Sequence, residues 1–133
     1  METQVLDTVE ITIPRERDFS IIAELVIGGI AARHDVTLEA LDDLQLALGS
    51  LLEHDEDGDG EIGVLFRVGE GSIDVSVGPV GERTVAELER EPGETLGLRR
   101  LLDSTVDDAS VSERNGGVWV DLRKGFPPAG PQA

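Results

Sequence analysis

The densest run of chemistry-bearing residues is Asp55-Glu56-Asp57-Gly58-Asp59-Gly60-Glu61-Ile62. Acids at its first, third and fifth positions, a glycine at the sixth and an aliphatic residue at the eighth match the opening of a calcium-binding EF-hand loop. The match then stops. The ninth position is Gly63, and the twelfth, where a bidentate Glu should close the coordination sphere, is Phe66. Two readings stand: a Ca²⁺ site of another kind on Asp55, Asp57 and Asp59, or a solvated acidic turn. The second is favoured because short motifs often match by chance. The only histidines, His34 and His54, fall near the ends of helical segments, where a cation meets the negative end of the helix dipole. Cysteine is absent, which removes disulfides, thiolate metal sites and thiol nucleophiles. No Ser/His/Asp triad suggests itself, and no carboxylate stands in a context that implies a perturbed pKa.

The elements that must position these residues are legible in the apolar pattern. Val9, Ile11 and Ile13 alternate with polar residues as a half-buried strand that Pro14 stops. Residues 18–33 read as a helix with Asp18 as N-cap and Phe19, Ile22, Leu25, Val26 and Ile30 at helical spacing. Thr37 caps a second helix over 38–53, with an apolar stripe from Leu38 to Leu52. A hairpin follows: Ile62, Val64, Phe66 and Val68 on one strand, Gly69-Glu70-Gly71 at the turn, Ile73, Val75 and Val77 on the next. Residues 82–94 read as a mobile loop with one helical turn about 84–90, and 96–103 as a short helix. A last hairpin turns at Asn115-Gly116. Each strand has one apolar and one mostly polar face, so helices cover the sheet on one side only. The expected fold class is α+β: a two-layer α/β sandwich with a mixed, mostly antiparallel sheet. Leu65 and Trp119 fall on its open face, a modest hint of a partner surface. Residues 1–125 form one domain, and the Pro-rich segment 126–133 reads as a disordered tail.

Bulk properties narrow the function. The chain has 133 residues, 39% of them hydrophobic, enough for one packed core. The net charge of −17 argues against a nucleic-acid backbone as partner, since phosphate binding needs clustered Lys and Arg. The longest apolar run, Ile21 to Ala32, is broken by Glu24 and two glycines and falls short of the roughly 18 residues of a membrane span. Met1-Glu2-Thr3 lacks the basic start of a secretion signal. The expected location is the cytoplasm, with no membrane contact.

The ordered combination of motifs resembles a known family. Val9-Glu10-Ile11-Thr12-Ile13-Pro14, the helix from Asp18, Leu41-Asp42-Asp43-Leu44-Gln45-Leu46-Ala47-Leu48, Leu101-Leu102-Asp103-Ser104-Thr105-Val106-Asp107-Asp108 and the Gly-turned last strand resemble, over about residues 5–125, the small bacterial anti-sigma factors that are also serine kinases. The resemblance implies the histidine-kinase-like ATPase fold. In that family a Glu and, four residues on, an Asn share one face of the second helix. The Glu polarises the attacking hydroxyl and the Asn holds Mg²⁺. Here Ser50 and His54 take those positions; serine is a poor base and imidazole a poor Mg²⁺ ligand. After the hairpin an Asp accepts the adenine amino group and a Gly two residues on lets the base approach; here they are Pro79 and Gly81. A Gly-x-Gly then cradles phosphate at a helix start; here it reads Thr95-Leu96-Gly97.

The resemblance therefore implies a regulator that binds a sigma factor and an anti-anti-sigma (STAS-type) protein, with homodimerisation, while the replaced positions favour a pseudo-enzyme with no cofactor. ATP and Mg²⁺ enter only if the degenerate site at Ser50, His54, Pro79, Gly81 and Gly97 still works in another manner. The alternatives are an active serine-protein kinase with a divergent site and a small acidic Ca²⁺-binding module.

Overall fold

The computed structural model describes residues 5–55, 60–89 and 97–127. β1 (Val5–Pro14) alternates as expected and buries Ile13. A 3-10 turn, Arg17–Phe19, leads into α1 (Ser20–Arg33). Asp18 sits inside that turn rather than capping the helix, and the Ser20 hydroxyl instead donates to the Arg17 carbonyl at 3.0 Å.

In α1, Ile30 is buried, and Val26 and the N-cap Phe19 pack against the core as the spacing suggested, but the rest of that face turns outward. Ala23, Ile27, Ile30 and Ala31 are buried, whereas Ile21, Ile22 and Leu25 are 52%, 38% and 67% exposed. The reason lies in its composition. Between Ser20 and Arg33 only Glu24 is polar, so periodicity selects no face, and the small alanines let the helix approach its neighbours closely.

α2 (Leu38–His54) begins where Thr37 Oγ1 accepts from Ala40 N at 3.2 Å, and it buries Ala40, Leu44, Ala47, Leu48, Leu51 and Leu52. Gln45 Nε2 donates to the Glu24 carbonyl at 3.1 Å and joins α2 to α1. β2 (Glu61–Gly69) and β3 (Ser72–Val80) form the expected hairpin, turned through Gly71 at φ +79°. Where a loop with one helical turn about 84–90 was expected, α3 (Glu82–Glu89) is a helix of 8 residues that buries Thr84 and Leu88, one turn apart. Two buried residues in a Glu/Arg-rich stretch are too short a pattern for periodicity to reveal. Residues 90–94 of the expected loop lie outside the described residues. α4 (Leu98–Thr105) buries Leu98 and Leu102, and β4 (Asp108–Arg114) returns as β5 (Gly117–Gly125) through Asn115 and Gly116, at φ 51° and 79°. Both are left-handed, as the tight turn requires.

The strands run in the order β1-β2-β3-β5-β4. All four pairings are antiparallel, the limiting case of the mostly antiparallel sheet expected. The inward residues of the strands meet Ile27, Leu44, Leu48, Leu51 and Leu102 in one core centred on Phe66, which is fully buried. Phe126, read as the start of a tail, packs against this core and its N–H donates to the Gly71 carbonyl at 2.9 Å. Residues 128–133 lie outside the described residues.

Candidate functional site

The C-terminus of α2, the end of β1 and the turn from β3 into α3 converge, and this brings three of the anticipated positions together. Their hub is Asp55, the residue after α2. Its carboxylate accepts from Gly81 N at 2.8 Å, from Thr84 Oγ1 at 2.6 Å and from the Arg15 guanidinium. Arg15 also donates to the carbonyl of Pro79, and His54 Nδ1 lies 3.1 Å from Thr84 Oγ1. The Arg15 and Asp55 side chains are only 9% and 4% exposed. An ion pair so shielded from water holds because further hydrogen bonds satisfy it. Here those bonds reach three separate elements.

Ser50 lies one turn before His54 on α2 and is half-buried. Gly97, the fifth anticipated position, is the N-cap of α4 and offers no side-chain cap of its own. Glu87 of α3 leans onto it, so closely that a Cβ on Gly97 would come within 2.5 Å of Glu87 Oε1. A carboxylate therefore stands at the start of α4, where the helix dipole favours an anion. Thr95 lies outside the described residues.

Three residues that no motif singled out, Arg15, Thr84 and Glu87, thus stand in the site with Asp55, which the motifs had given another role. Asp55 had been read as a Ca²⁺ ligand or a solvated acid. It is neither solvated nor free to face the loop, since both its oxygens point to donors inside the fold. Asp57 and Asp59 lie outside the described residues, and among the described residues no group of acids and histidines is placed to hold a metal. His54 finds a side-chain partner in Thr84. His34 sits at the C-cap of α1 with Nε2 3.1 Å from Asp7 Oδ2. The hydrogen bond from His34 holds the Asp7 carboxyl below the usual range, and Arg33 adds to it.

Chemically, the acids nearest Ser50 are Glu53, one turn on, and Glu24, whose carboxylate lies over Gly49, while the Pro79 carbonyl and the Gly81 N–H are already bonded within the chain. No family model matches the chain. Curated relatives do. The serine-protein kinase RsbW of Bacillus velezensis is 28% identical over 93% of this chain and 88% of its own length. RsbW of Halalkalibacterium halodurans is 26% identical over 84% and 80%. RsbW of Bacillus subtilis is 25% identical over 89% and 85%. The chain is related to the RsbW serine-protein kinases. A solved structure agrees on the fold: the RsbU and RsbW domains of Rv1364c from Mycobacterium tuberculosis superpose with a TM-score of 0.67 at 16% identity, over 92% of this chain and 34% of that longer one. The architecture is that of the histidine-kinase-like ATPases. Among the described residues no helix is long and apolar enough to cross a membrane.

Proposed function

We propose that this RsbW-like protein is a cytoplasmic partner-switching regulator that binds a sigma factor and an anti-anti-sigma protein, and that it works without phosphoryl transfer. The observation that carries this reading is the self-occupied site. In a kinase of this fold the adenine needs a carboxylate acceptor beside the β3–α3 turn; here Pro79 supplies none, and its carbonyl and the Gly81 N–H are bonded to Arg15 and Asp55. A phosphate arriving at the start of α4 would meet the Glu87 carboxylate over Gly97, and like charges at such range repel. With neither base nor phosphate received, regulation rests on competition between protein partners. A net charge of −17 steers partners with basic surfaces and disfavours others.

The reading includes a homodimer. The exposed face of α1, formed by Ile21, Ile22, Leu25, Gly29 and Ala32, carries no acid, and its one exposed charge is Arg33 at the C-terminal end. It is a surface on which two strongly acidic chains can meet without setting carboxylates against one another.

Calorimetric titration of the folded protein with Mg-ATP and Mg-ADP tests the central claim. No saturable heat is expected with either. Mg²⁺-dependent nucleotide binding would overturn it and put a kinase with a divergent site in first place. Purified sigma factors from the source organism, added singly, are expected to include one that forms a stoichiometric complex which an anti-anti-sigma protein dissolves.

A further inference from the structure

The open face of the sheet is built for something more specific than solvent. Thr12, Gly63 and Gly78 lie side by side across β1, β2 and β3. The two glycines leave bare backbone, and the Trp119 ring lies across it. A Cβ on Gly78 would come within 2.5 Å of the ring, and one on Gly63 within 3.2 Å. The guanidinium carbon of Arg114 sits 5.5 Å from the ring centre, and Arg114 is itself neutralised by Asp121. Asp121 also accepts from Ser76 at 2.6 Å and Ser112 at 2.7 Å. Trp119 is thus clamped in place, although it stands on the uncovered side of the sheet.

Beside it opens a groove of about 430 Å³, walled by Trp119, Leu65 and Pro79 and rimmed by Glu10 and Glu61. Neither glutamate has an ion-pair partner among the described residues. With the charge of Arg114 spent on Asp121, the groove presents apolar walls under a negative rim. The groove lies against β1, an edge strand of the sheet.

We propose that this groove is a docking site for a basic, extended segment of a protein partner, which lays an arginine or lysine side chain between Trp119 and the two glutamates. The aliphatic stem of such a side chain packs on Leu65 and the indole, while its charged head pairs with Glu10 and Glu61. Flat apolar walls and unpaired rim carboxylates are complementary to that side chain and to no acidic or neutral one. The proposal is independent of whether the protein binds nucleotide.

The chain holds a single tryptophan, so Trp119 emission reports the groove directly. The full chain would be titrated with acetyl-Val-Arg-Val-Arg-Val-amide and with the same peptide carrying Gln or Glu in place of Arg. The arginine peptide is expected to shift the emission saturably. The glutamine peptide should bind weaker by roughly tenfold or more, as a lost charge-assisted pair would dictate, and the glutamate peptide should give no shift. Glu10→Gln with Glu61→Gln should cost the arginine peptide a similar factor, while Glu39→Gln with Asp42→Asn, which removes the same charge from exposed positions on α2, should leave binding unchanged. Three results would overturn the proposal: no saturable shift, an equal loss in the α2 control, or arginine amide alone binding as tightly as the peptide. The second would mean diffuse attraction to the acidic surface, and the third a small-molecule site.

Discussion

At the scale of the residue, Asp55 decides the character of the site. It ties together β1, the β3–α3 turn and α3, and its partners lie 26, 29 and 40 positions away in sequence. Asp55→Ala leaves the Arg15 guanidinium shielded from water without its counter-charge and should cost about 3–5 kcal/mol, read as a lower urea midpoint at unchanged slope. Asp55→Asn keeps the volume and should cost less. His54, Pro79 and Gly81, which the motif reading grouped from the order of elements, lie around Asp55 and its partners. That reading missed the role of Asp55, and Arg15 and Thr84 with it, because nothing local marks an acid as buried when it stands at the head of an acidic run. Glu24 gives a second residue-level prediction. Burial raises its pKa and the neighbouring Glu53 carboxylate raises it further, so the fold favours the protonated form. Its stabilising contribution is complete below the unfolded-state pKa and is lost as pH rises through the higher folded-state value. Glu24→Gln should therefore raise the Tm at about pH 7 and change it little at about pH 3.5; an equal gain at both would show that charge is not the cause.

At the scale of the element, how well each segment could be read depended on how sharply its polarity is divided. α2 sets a stripe of Leu and Ala against polar and small residues, and its buried face came out as expected from Leu44 to Leu52, while at its start Ala40 is buried and Leu38 is 72% exposed. α1 is apolar almost all round, so the spacing that marks a helix could not say which side faces the core. The outcome has a functional consequence. The side left outside is apolar as far as Arg33 at its C-terminal end. Leu25→Glu puts a charge at its centre, at a position 67% exposed, where substitution should shift stability by no more than about 0.5 kcal/mol. If α1 is the dimer face, the variant should sediment as a monomer at concentrations where the parent sediments as a dimer, with nearly the same Tm. A variant that remains dimeric would move the interface elsewhere.

At the scale of the whole molecule, the hairpins β2–β3 and β4–β5 were legible because their turns are local, Gly71 in one and Asn115-Gly116 in the other. The pairing that joins them, β3 against β5, was not, because it spans α3 and α4 and depends on the core closing. That closure takes place in a chain with 28 acidic and 11 basic residues. Even if every Lys and Arg is paired, the acids remain in excess, so folding concentrates unbalanced negative charge. Salt acts in two opposed ways: it weakens exposed ion pairs such as Arg123–Asp74, each worth at most about 1 kcal/mol, and it screens the repulsion among the surplus acids. The shielded pair of Arg15 and Asp55 is screened little by either route. Because the surplus outnumbers the pairs, screening of repulsion should win. Raising NaCl from about 0.02 M to about 0.5 M, a range over which the Debye length falls severalfold, should raise the urea midpoint. Most of the gain should come in the first part of that range, before screening saturates. A midpoint that falls with salt would mean that the exposed ion pairs, rather than the core and the shielded Asp55 cluster, hold this acidic chain together.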